Sequence, residues 1–304
     1  GVQTCALPIL FKNLLTIVAL GVCSLATQAK EAVSIVIPTA PGGSFYLYAK
    51  NLEPYLQQWI DKEVTVDPRP GANGTVAYSH MQTAKSLGYM FFLSSVLPDT
   101  PYNQLTDLRP VIDLGSQVKI VFANAGVGQQ NVKQTMRAAN KPHYTYGILN
   151  NDAIAPALTA VAPHVKGRTD FVPVVYNRAG DVQHNAVGKH IDFGVLGSKV
   201  VQPLAESGQV TAVAAAGPYR SKIFPDVPTL TEMGYRGPGD QWHNRFILWA
   251  TDNIPESVVA TVRQKWQAFL QSAEGQAFLR NLDHGLTAQE AVQPEVVIRR
   301  MLTK

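Results

Sequence analysis

Cysteine is almost missing from this chain of 304 residues: only Cys5 and Cys23 occur. Both fall within residues 1–29, so the remainder has no thiol. That excludes disulfides, thiolate catalysis and zinc–thiolate sites from the body of the protein. Charge is also scarce, at 16% of residues, and it is not clustered. The densest basic spot is the pair Arg299-Arg300. A pI near 9.0 without a basic stripe interleaved with aromatics argues against a nucleic-acid partner. The catalytic patterns G-x-S-x-G and H-E-x-x-H are absent. So are the phosphate loop G-x-x-x-x-G-K-[ST] and the dinucleotide fingerprint G-x-G-x-x-G. The seven histidines are scattered, and no metal site or cofactor is expected.

What is present is enough apolar material for real cores, 46% of residues, in a length that suits two compact units. The N-terminus carries a targeting signal. Lys12 precedes the apolar run Leu14–Leu25, and small or polar residues follow from Ala26 to Ala29. This order describes a secretory signal peptide cleaved near Ala29, too short for a comfortable membrane span. A lipid anchor through Cys23 is the weaker reading, because bulky Val22 precedes it. Residues 1–9 (GVQTCALPI) read as foreign to the protein.

Short apolar runs then alternate with helical patterns. Strands are predicted at Ser34–Ile37, Val64–Val66, Tyr89–Ser94, Lys119–Ala123, Tyr144–Leu149, Phe171–Tyr176, Ile191–Leu196, Val210–Ala215 and Phe246–Ala250. Several are apolar on both faces, as in strands covered by helices on both sides. Helices are predicted at Ser44–Trp59, with Pro54 kinking or splitting it, and at Thr75–Lys85, Ala153–Ala162, Asp181–Val187 and Val200–Ser207. Glu256–Leu270, Ala273–Leu282 and Glu295–Leu302 complete the set. This alternation implies an α/β fold with mostly parallel sheets, in which ligands sit at the C-terminal ends of strands.

Three sets of loops stand there. The first, Pro38-Thr39-Ala40-Pro41-Gly42-Gly43-Ser44, leaves a strand and opens a helix with Ser44 as its expected cap. Its unobstructed N–H groups and the helix dipole suit an anion. The second, Arg69-Pro70-Gly71-Ala72-Asn73-Gly74-Thr75, repeats that logic. The third comprises Asn150-Asn151-Asp152, Tyr176-Asn177-Arg178 and Gly197-Ser198. Arg178 is suited to a bidentate bond with a carboxylate. Two Gly-rich anion loops without a nucleotide motif point to a small carboxylate.

Taken together these residues resemble the Bug-type receptors of tripartite tricarboxylate transporters, from about Ser34 to the end. Pro38-Thr39-Ala40-Pro41-Gly42-Gly43 is similar to the family's P-y-p-P-G-G loop, and Arg69-Pro70-Gly71-Ala72-Asn73-Gly74 to its R-P-G-A-g-G loop. The sharpest match is Arg220-Ser221 with Pro225-Asp226-Val227-Pro228-Thr229-Leu230-Thr231-Glu232-Met233-Gly234, a stretch read as architectural, with Thr229 capping a helix that reaches Glu232. The resemblance implies a two-lobed periplasmic-binding-protein (Venus-flytrap, type II) fold. It implies lobe one at 30–124 plus 245–304 and lobe two at 125–244. It further implies a small organic anion as ligand, membrane permease subunits as partners, a monomer, and no catalysis. By motif position the contacts are Thr39, Ala40, Gly42, Gly43, Gly71, Asn73, Gly74, Ser94 and Ser95 in lobe one. In lobe two they are Asn150, Asn151, Tyr176 and Ser198. The chain departs from the family pattern at Asn150-Asn151-Asp152 and at Tyr176-Asn177-Arg178-Ala179-Gly180. Lobe two is therefore expected to accept a different, zwitterionic or singly charged solute. A sensor acting on a two-component kinase and an exported α/β enzyme are the rival functions.

Overall fold

The computed structural model describes Gly1 and residues 32–84, 88–95, 108–127, 143–149, 170–216, 219–234, 244–281 and 283. The signal-peptide region, the helices expected at 153–162 and 295–302, and Asn150, Asn151 and Asp152 lie outside them. The described strands are β1 (Val33–Ile37), β2 (Val64–Pro68), β3 (Tyr89–Ser95), β4 (Leu108–Gln117), β5 (Lys119–Asn124), β6 (His143–Leu149), β7 (Asp170–Tyr176), β8 (Phe193–Gly197), β9 (Val210–Ala216) and β10 (Asn244–Thr251). The described helices are α1 (Ser44–Ile60), α2 (Thr75–Thr83), α3 (Ala179–Val187), α4 (Ser198–Glu206), α5 (Glu256–Gln271) and α6 (Ala273–Asn281).

The strands form two five-stranded sheets, in the orders β2-β1-β3-β10-β4 and β7-β6-β8-β5-β9. Each is mixed rather than mostly parallel. β1, β2 and β3 are parallel, and β10 runs antiparallel to β3 and β4. In the second sheet β6, β7 and β8 are parallel, and β5 runs antiparallel to β8 and β9. The antiparallel strands are those entered when the chain crosses from one sheet to the other. The first crossing needs only Val118, between β4 and β5. β5 thus belongs to the second sheet, and the change of sheet precedes the boundary expected after residue 124.

Burial explains the layering. Ile35, Ile37, Phe91, Leu93, Phe246 and Leu248 face one side of the first sheet, under Leu52 and Leu56 of α1, Val262 and Trp266 of α5 and Phe278 of α6. Val36, Phe92, Ile247 and Trp249 face the other side, under Ala77 and Met81 of α2. Alternate residues of one strand therefore enter different cores, the physical reason these strands read as continuous apolar runs. In the second sheet Ile120 and Phe122 meet Val182 and Ala186 of α3 and Val200 and Val201 of α4. The opposite face gathers Val121, Tyr146, Phe193, Val195 and Val213. α1 runs through Pro54 as one helix, held by the burial of Tyr48, Leu52 and Leu56 on its inner face.

This topology brings specific ends together. In the first sheet the C-terminal ends of β1, β2, β3 and β4 share one edge with the start of β10. In the second, the ends of β6, β7, β8 and β9 share an edge with the start of β5. Because Val118 alone joins β4 to β5, these two edges face each other across the crossover.

Candidate functional site

At the first edge, β1 ends at Ile37 and the chain turns through buried Pro38. The Oγ1 atom of Thr39 is buried without a hydrogen-bond partner. Gly42 has φ +88°, in the left-handed region where a side chain is disfavoured. Gly43, not Ser44, is the N-cap of α1: its backbone is extended, it supplies no side-chain cap, and no acidic residue occupies the first turn. The first N–H groups of α1 are thus left for another acceptor. The second loop is tied to the first by the Arg69 N–H donating to the Ile37 carbonyl at 2.9 Å. The Arg69 guanidinium turns back onto Asp67, with Nε 2.9 Å from Oδ1. Gly71, Ala72 and Gly74 all have positive φ, and Gly74 caps α2 from the left-handed region. Asn73 lies in the short turn Ala72–Gly74. Ser94 is fully buried with an unpartnered Oγ. Ser95 closes β3 opposite Phe246.

At the second edge, Tyr176 ends β7 half-buried beside Gly147, and burial, with Asp181 contributing, pushes its phenol up. Arg178 is the N-cap of α3, but its guanidinium donates to Asp181 at 3.0 and 2.8 Å and its side chain is 65% exposed. That bond, the larger cause, and the nearby positive charge hold the Asp181 carboxyl below its usual range. Arg178 is therefore engaged on its own helix. Ser198, first residue of α4, is fully buried with an unpartnered Oγ, while its N–H donates to the Val118 carbonyl at 3.0 Å.

The two edges touch. A Cβ placed on Gly43 would lie 3.9 Å from Cβ of Ala179. One on Gly197 would stand 1.9 Å from Oε1 of Gln117 and 2.5 Å from Oγ of Ser44. Leu47 of α1 also packs on the second sheet's core. The lobes approach at these points, and the predicted Gly43 and Gly197-Ser198 loops meet at the seam.

Sequence reasoning missed two features here. Gln117, the last residue of β4, is fully buried, and both its Oε1 and its Nε2 lack partners. Arg245, second residue of β10, is bonded through Nε to Asp113 of β4 at 2.5 Å; Asp113 is fully buried and the Arg245 side chain 9% exposed. Nη2 of Arg245 has no partner. Gln117 gave no motif to find. Asp113 and Arg245 did leave a signal: opposite charges inside VIDL and NRFIL, two apolar runs that could only tolerate them as a pair.

The stretch expected to be architectural is so. The Thr229 N–H donates to Glu232 at 2.8 Å, and the Glu232 N–H donates to Oγ1 of Thr229 at 3.0 Å, a reciprocal capping box around a turn where a helix was expected. Arg220 bonds Glu232 at 2.9 Å and reaches the Pro225 carbonyl at 3.1 Å. Ser221, buried, donates to Asp283 near the C-terminal end of the chain. Ser116 and Lys119 carry the S-x-x-K spacing of some serine acyl-enzymes. Here they lie on two extended strands either side of the crossover, not on the helical turn that would bring lysine to serine.

Chemically, the seam concentrates donors: hydroxyls of Thr39, Ser94 and Ser198, an amide of Gln117, and helix N-termini. Such a set can hold an anion without a metal. A family model described as tripartite tricarboxylate transporter family receptor, TctC, matches residues 48–303. A UPF0065 protein of Bordetella bronchiseptica is 25% identical over 267 residues, covering 85% of this chain and 78% of the relative. The BugT protein of Bordetella pertussis is 24% identical over 220 residues, covering 69% and 68%. Among solved structures, an R. palustris protein with adipate superposes with a TM-score of 0.75 at 19% identity, covering 90% of this chain and 95% of that one. MatC of Rhodopseudomonas palustris with bound malate gives 0.72 at 18%, covering 90% and 96%.

Proposed function

The chain belongs to the tripartite tricarboxylate transporter receptor family, and from that premise we propose that it is an extracytoplasmic receptor that traps a small organic acid between its lobes and passes it to membrane permease subunits. The family and fold are those of solute-binding proteins, and in this reading the protein turns nothing over. The observation that carries the reading is the set of buried polar atoms without partners at the two facing edges: Thr39 Oγ1, Ser94 Oγ, both amide atoms of Gln117 and Ser198 Oγ. Buried polar atoms are ordinarily paired. Four unpaired side chains from both lobes, gathered at one seam, favour a polar molecule that completes them.

The physical sequence follows from the parts. A carboxylate first meets the N–H groups of the Gly42-Gly43 loop and the Ser94 hydroxyl on lobe one. Rotation about Val118 then brings Gly197-Ser198 against it. The ligand shifts the open–closed equilibrium only by its extra contacts in the closed form, and those come from lobe two. The closed form is the one the permease reads. Substitution Gly43→Asp tests the arrangement, since the added carboxylate would stand at the seam facing Ala179. Calorimetric titration should find binding of the organic acid lost in this variant while the unfolding temperature holds. Unchanged affinity in a folded Gly43→Asp protein would refute the site.

A further inference from the structure

The unpaired atoms at the seam are not chemically alike. The hydroxyls of Thr39, Ser94 and Ser198 can donate or accept, and Nε2 of Gln117 and Nη2 of Arg245 only donate. A carboxylate satisfies all of these. Oε1 of Gln117 is different: it can only accept, so no carboxylate oxygen can pair with it. Exchanging the oxygen and nitrogen of the amide does not help, because one obligate acceptor remains in either orientation. Among the buried side-chain atoms of the described residues that lack partners, it is the one that demands a donor.

Its position makes the demand consequential. Gln117 ends β4 one residue before the crossover at Val118 and pairs with Asn244 at the start of β10. Its Oε1 lies against Gly197 of lobe two, where any Cβ would collide with it at 1.9 Å. Parting the lobes lets water reach the amide; closing them strips that water away. Resting on the receptor reading above, we propose that Gln117 is a specificity-determining residue, and that the solute is a carboxylate carrying a hydrogen-bond donor, a hydroxyl, ammonium or amide, which meets Gln117 as the lobes close. An acid without that donor strands the acceptor in the closed form, and the penalty falls on binding rather than on folding.

Matched pairs read this directly: malate against succinate, aspartate against succinate, and 2-hydroxyglutarate against glutarate, each titrated calorimetrically into the purified protein. In at least one pair the donor-bearing acid should bind about tenfold tighter or better. In Gln117→Met, of similar length and without polar atoms, that ratio should fall to about one, with the donor-lacking acid bound at least as well as before. The parent's own ratio needs no variant to fold. Equal binding within every pair, or a ratio that survives Gln117→Met, would overturn the assignment while leaving the receptor reading intact. Failure of every acid and amide to bind would overturn both.

Discussion

Gly197 and Gly42 are both glycines on seam loops, yet their substitution should have different consequences. At Gly197 a methyl group has no room, with Gln117 and Ser44 already there. Gly197→Ala should displace the ends of the Gln117 and Ser44 side chains, weakening solute binding in a calorimetric titration. At Gly42 nothing lies within 4 Å and only φ +88° resists a side chain, so Gly42→Ala should cost about 1 kcal/mol of stability in a denaturant titration. The Asp113–Arg245 pair offers a second contrast. Arg245→Met leaves a buried carboxylate without its cation and should cost about 3–5 kcal/mol in a denaturant titration. The double variant Asp113→Leu/Arg245→Met should recover most of that loss, because an apolar pair replaces an ionic one in a fully buried place. At this scale the sequence was informative only where chemistry needs a motif. The glycine loops announced themselves. Thr39, Ser94 and Ser198 were reached through resemblance, and the structure finds the hydroxyl oxygen of each buried and unpaired. Gln117 could not be read, since what makes it unusual is its surroundings.

Elements are where the sequence was most legible. Strands such as Lys119–Asn124 have apolar side chains on both faces because each face meets its own core, and that leaves a plain signal. β4, Leu108–Gln117, was missed: Pro110, Asp113 and Gly115 break the apolar pattern, and pairing to β10 with a bulge overrides local preference. The turn around Thr229 was legible for the opposite reason, since a capping box is local. Its Glu232 carboxyl is held below the usual range, first by the Thr229 N–H and then by Arg220. A lowered pKa in the folded protein means stability present at neutral pH and lost as pH falls through the folded value. Glu232→Gln should therefore be less stable than the parent at pH 7, and the gap should close below the ordinary glutamate range in thermal scans across pH. Thr229→Ala, removing the cap, should cost about 1 kcal/mol.

At the scale of the whole molecule, one residue, Val118, carries the first crossing between sheets, and Ser221–Asp283 ties the segment after β9 to the chain beyond α6 with bonds of 2.8 and 2.7 Å. Phe224 packs on the second sheet's core, while Phe278 of α6 packs on the first. This buried bond therefore links segments that pack on different cores. The two-lobed architecture was implied by resemblance rather than by strand pattern, because pattern alone predicted parallel sheets and could not see that the crossing strands reverse direction. Whether the seam traps a small organic acid is read from thermal unfolding of the purified protein against a panel of mono-, di- and tricarboxylates, hydroxy acids, amino acids and amides. A ligand that binds only the folded state adds about 2.7 kcal/mol at a hundredfold excess over its dissociation constant, raising the midpoint by roughly 4 °C for a chain of this size. At least one carboxylate should give such a rise, abolished by Gly43→Asp; a flat response to every acid in the panel would mean that the seam is no such trap.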